Sequence, residues 1–219
     1  MTEEKKKGIL TVVSGFSGAG KGTLMKALLA DYDYDLSVSA TTRAPRAGEV
    51  DGREYFFLTR DAFESMINNG EFIEWAEFVG NYYGTPRAYV EEKLAAGRDV
   101  LLEIEVQGAM NIKKQFPDAL LVFVTPPSAE ELKRRLVNRG TETEEVIAKR
   151  LSRACEEAAW IEQYDILLVN DDLEECVRTL DTIIHDAIAG IPYEVSENQA
   201  MIAEIRSQLE KYRLGGNEL

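Results

Sequence analysis

Residues 15–23 read GFSGAGKGT, and the chemistry they suggest is the gripping of a phosphate. A phosphate-binding loop is usually written G-x-x-x-x-G-K followed by Ser or Thr. Gly15, Gly20 and Lys21 fit that spacing. Gly22 stands where the hydroxyl is expected, and Thr23 supplies it one place later. Between a strand and a helix such a loop turns backbone N–H groups towards an anion, and the helix dipole favours negative charge there. Glycines let the backbone approach phosphate oxygens and take positive φ. Lys21 can reach β and γ phosphates. Thr23 is the hydroxyl that could hold Mg²⁺, directly or through water. Phe16 reads as a packing residue. The first G-x-G of a dinucleotide fingerprint is missing, which leaves a plain strand-to-helix turn as the other reading.

A phosphate donor needs an acceptor, and SVSATTRAPRAGEVDGREY (37–55) offers one. Arg43 and Arg46 flank Pro45, so two phosphate-matching forks sit on a stiffened loop. Tyr55 and Tyr83 can add phenolic donors. The bland alternative is an ordinary solvated loop. In EFIEWAEFVGNYYGT (71–85), Glu74 lies in an apolar run, and strand alternation puts it on the face of Phe72. One carboxylate can accept both the N1–H and the N2 amine of guanine, whereas adenine N1, an acceptor, would be repelled. In LEIEVQG, alternation places Glu103 and Glu105 on one face near the carboxyl end of a central strand, where open α/β sheets bind ligands. They reach magnesium or the acceptor base, or else they are a salt-bridged strand end.

These residues need a frame. GILTVVS (8–14), 98–106, 119–125 and 165–170 read as buried strands, and Lys21–Asp31, Gln107–Gln115, Ser128–Asn138 and Thr143–Gln163 as helices. Ser128 with Glu131 forms a capping box. Strands alternating with helices predict an α/β fold with a parallel sheet. From about 36 to 87 the short β-like, aromatic-rich pieces and the turns at Asp51-Gly52 and Gly80-Asn81 read as a small mixed insert. Around 134–151 a break at Gly140 between two helices, beside arginines, suits a mobile flap. A tail helix, roughly Glu197 to Tyr212, puts Ile202, Ile205, Leu209 and Tyr212 on one face. That face packs on its own domain or on a twin subunit.

Composition narrows the classes. At 219 residues and 45% hydrophobic the chain can bury one large core. A formal net charge of -14 argues against general binding to nucleic acid or to a membrane surface. Cys155, Cys176 and His185 lack the spacing of a zinc site or a thiol nucleophile, read as fillers of helix positions, and suit a reducing cytoplasm. The charged start MTEEKKKG and the five-residue run ILTVV are neither a signal peptide nor a membrane span.

The motifs GFSGAGKGT, SVSATTRAPRAGEVDGREY, EFIEWAEFVGNYYGT, EIEVQG, PPS (126–128), NRGTETEE and VNDD (169–172) together resemble those of the guanylate kinases, over roughly residues 8–189. The resemblance implies a P-loop three-layer core (8–35, 88–133 and 152–189), a GMP-binding insert (36–87) and a helical lid (134–151), with a tail at 190–219. It implies transfer of the ATP γ-phosphoryl group to GMP, and to dGMP, with Mg²⁺, in purine nucleotide metabolism in the cytoplasm. ATP would lie on Gly15, Phe16, Ser17, Gly18, Ala19, Gly20, Lys21, Gly22 and Thr23, with Asn170 near adenine. Arg43, Arg46, Tyr55 and Tyr83 would hold the GMP phosphate. Ser39, Glu74, Thr85 and Glu105 would read guanine. Lys21, Arg43, Arg135, Arg139 and Arg150 would act on the transferring group. Departures are Phe16 where many members carry Pro, Gly22 where they carry Ser or Thr, and Glu103 and Glu105 where Asp is common. A non-catalytic, guanylate-kinase-like interaction module and a kinase for another monophosphate are the rival readings. A homodimer is a further expectation.

Overall fold

The computed structural model of the chain describes residues 7–78, 80–138, 140, 143–192 and 199–213. In chain order the elements are β1 (Leu10–Gly15), α1 (Lys21–Asp31), β2 (Asp35–Leu36), β3 (Ala40–Thr41), β4 (Phe56–Phe57), α2 (Arg60–Asn68), β5 (Phe72–Phe78) and β6 (Asn81–Pro86). They continue with α3 (Arg87–Ala95), β7 (Val100–Glu103), α4 (Val106–Gln115), β8 (Leu120–Thr125), α5 (Ala129–Asn138), α6 (Glu144–Ala158), β9 (Ile166–Val169), α7 (Leu173–Ala189) and α8 (Gln199–Glu210).

The parallel sheet expected from the alternating pattern is present, with strand order β2-β7-β1-β8-β9. Every residue of β1 and β8 is buried, as continuous apolar runs in a sheet covered on both faces must be. The order reverses at β1, and the carboxyl end of a strand at such a switch point is where open α/β sheets bind ligands. No described helix is long and apolar enough to cross a membrane.

Packing divides the chain into two compact units, Met1–Val12 with Asp33–Ala119 and Val13–Tyr32 with Leu120–Leu219. The first carries a four-stranded mixed sheet, β4-β3-β6-β5, in which β5 and β6 are antiparallel. Ala40, Phe63 and Phe72 form a small core under it, with Leu58, Met66, Ile67 and Tyr82 packed around them. The Phe63 and Phe72 rings stack at 4.3 Å. Thr59 caps α2 by accepting the Ala62 N–H, and Asp61 adds favourable charge in the first turn.

In the second unit, α8 lies against α5 and α6 and buries Ile202, Ile205 and Leu209 there. Its side chains also finish neighbouring helix ends. Gln208 Oε1 accepts the Ala129 N–H at the start of α5, and Arg206 Nε donates to the Ala158 carbonyl at the end of α6. The tail's apolar face is therefore covered by the chain itself.

Several expectations change at element boundaries. The strand read over 98–106 stops at Glu103, and Glu105 is the N-cap of α4 with extended φ/ψ. Glu103 and Glu105 therefore do not share a strand face, because the chain turns into a helix between them. The helix read as Thr143–Gln163 has Thr143 as its cap and ends at Ala158, after which Ile161–Gln163 form a 3-10 turn. The box at Ser128 is half made. Its hydroxyl accepts the Glu131 N–H at 3.1 Å, but Arg134 and Arg135 capture the Glu131 carboxylate. A register shift between Phe72 and Glu74 breaks alternation, so Phe72, Ile73 and Glu74 are all buried. The tail helix is described from Gln199, and Glu197 and Asn198 lie outside the described residues.

Candidate active site

The loop 15–20 joins β1 to α1, the setting in which its glycine spacing has chemical meaning. Gly15 ends β1, and Gly18 backs onto Leu132 and Leu136 of α5. Gly20 is the N-cap of α1 at φ 93, a left-handed conformation that L side chains avoid. A Cβ there would also lie 2.6 Å from Asn170 Nδ2. The first N–H groups of a helix have no partner inside it, and here neither a capping side chain nor an acidic residue in the first turn competes for them. Backbone donors at the start of α1 are thus left open to an anion.

Lys21 folds back across the loop. Its Nζ donates to the carbonyls of Gly15 at 2.7 Å and Phe16 at 3.1 Å. Phe16 is 1% exposed and meets the edge of Phe123 at 4.9 Å, which makes it the packing residue its chemistry suggests. Gly22 and Thr23 are exposed on the first turn.

Three side chains from other elements hold the loop. Asn170, at the end of β9 and buried, donates from Nδ2 to the Ala19 carbonyl at 2.8 Å. Arg135 of α5 donates to the same carbonyl at 3.2 Å and to the Asn170 carbonyl at 2.8 Å. Its Nε is anchored on Glu131 at 2.7 Å, and Arg134 and Arg135 together pull the Glu131 carboxyl down to about 2. Arg150 of α6 donates to Ser17 Oγ at 2.6 Å. Arg139 lies outside the described residues.

The acceptor candidates are in the other unit. Arg43 places its Nη1 and Nη2 on the two oxygens of Glu49, each at 2.9 Å, and its guanidinium lies 5.4 Å from the Tyr55 ring centroid. The Glu49 carboxylate holds the Arg43 pKa above its ordinary value. Glu49 also accepts the Arg46 backbone N–H at 2.6 Å, while the Arg46 side chain is exposed. The Tyr55 and Tyr83 rings meet edge to face at 6.1 Å. Burial raises the Tyr55 pKa, so its hydroxyl stays a donor at neutral pH. Ser39 is half-buried just before β3.

Glu74 is 9% exposed, and its Oε1 accepts the Thr85 hydroxyl at 2.8 Å across the β5–β6 pair. Burial pushes its carboxyl pKa upwards, partly offset by that hydrogen bond. Sequence reasoning missed the residue that makes room for this carboxylate. A Cβ on Gly108, inside α4, would lie 2.8 Å from Glu74 Oε2. A helix-interior glycine costs about 1 kcal/mol relative to alanine, and that cost was the available signal. Glu49 was missed as well, although it lies inside the arginine-bearing segment.

The fold and loop define an α/β protein with a glycine-rich strand-to-helix turn at the switch point of a parallel sheet. The guanylate kinase family profile matches residues 7–187. A guanylate kinase from Streptococcus thermophilus is 48% identical over 203 residues, 92% of this chain and 97% of the relative. One from Clostridioides difficile is 55% identical over 180 residues, covering 82% and 88%. The crystal structure of guanylate kinase from Anaplasma phagocytophilum superposes with a TM-score of 0.71 at 32% identity, covering 92% of this chain and 97% of that one. The chain belongs to the guanylate kinase family.

Proposed function

We propose that this chain transfers the γ-phosphoryl group of ATP to GMP, giving ADP and GDP, and accepts dGMP as well. The observation that carries the reading is the buried Glu74–Thr85 pair in a chain that matches the family over residues 7–187. Glu74 accepts the guanine N1–H and N2 amine, the Ser39 hydroxyl serves O6, and the Thr85 hydroxyl turns from Glu74 to O6 when guanine binds. Glu105 at the α4 N-cap takes a further guanine donor. Arg43, Arg46, Tyr55 and Tyr83 hold the GMP phosphate. The loop 15–23 binds the ATP phosphates, and Asn170 lies near adenine while fixing the loop through Ala19.

Phosphoryl transfer asks for positioning and charge neutralisation more than for covalent help. Lys21 swings from the Gly15 and Phe16 carbonyls to the β/γ phosphates. Arg150, Arg135 and Arg139 neutralise charge on the transferring group, and closure of a lid over 134–151 and of the insert over 36–87 excludes water. Among the described residues no cluster of three or more acids, cysteines or histidines forms a metal cage. A magnesium ion that keeps its waters and takes phosphate oxygens asks for few protein ligands, and the exposed Thr23 hydroxyl fits that demand. When bound, Mg²⁺ supplies charge stabilisation on the phosphate oxygens.

The role belongs to GMP recycling in purine metabolism, in the cytoplasm. A homodimer is tested by sedimentation. The interaction-module reading expects a damaged phosphate loop, whereas this chain carries both Lys21, bonded to the Gly15 carbonyl, and Arg150, bonded to Ser17. The test of the chemistry is chromatographic. With Mg·ATP and GMP, GDP and ADP should appear in equal amounts, and ADP should not appear without GMP. ADP formation without GDP would overturn the reading.

A further inference from the structure

One carboxylate in the arginine-bearing segment has no part in the roles above, yet it touches two of the residues that do. Glu49 accepts from both terminal nitrogens of Arg43 and from the Arg46 backbone N–H. Its own N–H donates to the Arg46 carbonyl at 3.1 Å, closing the turn 46–49 through Gly48 at φ 89. The Arg43 and Glu49 side chains are only 15% and 17% exposed, so this is no ordinary solvated surface pair. Arg43 is further held by the Ala44 carbonyl at 2.7 Å and by the rings of Tyr55 and Phe57.

We propose that Glu49 is a positioning residue: it fixes the Arg43 fork and the Arg46 backbone in the arrangement that receives the acceptor's phosphate. This rests on reading Arg43, Arg46, Tyr55 and Tyr83 as the acceptor-phosphate site. An arginine on an exposed loop samples many rotamers, and a ligand that must freeze them binds more weakly. Glu49 freezes them beforehand. A guanidinium carries five N–H donors, so one edge holds the carboxylate while another faces a phosphate. The same geometry admits an opposite role, a placeholder anion that the phosphate must expel. The closed turn favours positioning, because Glu49 binds the backbone of residue 46 as well as the side chain of residue 43.

The test is steady-state kinetics on the full chain with Glu49→Gln, Glu49→Asp and Arg43→Ala, alongside competition by guanosine, which lacks the phosphate. Loss of a charge-assisted bidentate contact raises the GMP KM of Glu49→Gln about tenfold. The change falls on the GMP KM rather than on kcat or the ATP KM, and guanosine inhibits the variant as it does the unaltered chain. Glu49→Asp keeps the charge on an arm shorter by about 1.5 Å and gives a smaller rise. It carries the test if the glutamine variant fails to fold. A fall in the GMP KM would make Glu49 a placeholder and overturn the proposal. So would an unchanged KM while Arg43→Ala raises it, or equal weakening of guanosine and GMP, which is what general loop damage produces. If Arg43→Ala also leaves the GMP KM unchanged, the acceptor-phosphate reading itself falls.

Discussion

Two residues bear most of the proposed chemistry, and each has a cost that can be measured. Lys21 is half-buried at the edge of the loop and donates to two backbone carbonyls there, outside the apolar core. Lys21→Ala should lower kcat by about 10³-fold while leaving the melting temperature nearly unchanged. Near-normal turnover in the folded variant would remove its role. Glu74 is buried with a pKa above its ordinary value of 4.5, so the folded state binds its proton more tightly than the unfolded state does. The ionised carboxylate therefore costs stability at high pH, and the cost is relieved as pH falls through the raised pKa towards 4.5. Substrate-free Glu74→Gln should be more stable than the unaltered chain at pH 8, by a margin that narrows towards pH 5 in urea titrations. The same variant should lose about 10²-fold in kcat/KM for GMP, since an amide cannot accept both guanine donors. At this scale the loop was legible because spacing and residue type alone encode it. Gly108 was not, since the contact that requires a glycine there comes from Glu74, far away in sequence.

At the scale of elements, α8 lies beyond the stretch that matches the family, yet it finishes the ends of α5 and α6. Those helices carry Arg135 and Arg150. Burying Ile202, Ile205 and Leu209 stabilises the fold by about 1.5–3 kcal/mol each. Deleting the chain from Gln199 onward should cost at least about 4 kcal/mol in urea denaturation. A loss below 1 kcal/mol would mean that the helix is not docked in solution. Its apolar face was readable from the spacing of those three residues. The β7–α4 junction was not, because a run such as LLEIEV continues strand alternation past the point where Glu105 begins a helix. The bulge in β5 was equally silent, because it is set by pairing with β6 and leaves no mark in local periodicity. Helix α2, with its Thr59 cap, lies within the stretch that reads as a mixed insert, because the short elements around it blur the helical period.

Across the whole molecule, a net charge of -14 coexists with clustered donors at the loop 15–23 and at Arg43 and Arg46, the proposed phosphate sites. Net charge governs encounters with polyanions, while a small ligand feels the backbone N–H groups, Lys21 and the nearby arginines first. The parallel sheet and its switch point were legible because buried parallel strands are continuous apolar runs. The division into two compact units was not, since it depends on contacts distant in sequence. The central claim is that the chain phosphorylates a guanine nucleotide and discriminates against other bases. It is tested most directly by measuring ADP production from Mg·ATP with GMP, AMP, UMP and CMP in parallel, beside a control without acceptor. Rapid turnover with GMP alone is the expected result. Comparable turnover with AMP, or none with any acceptor from folded protein, would contradict it.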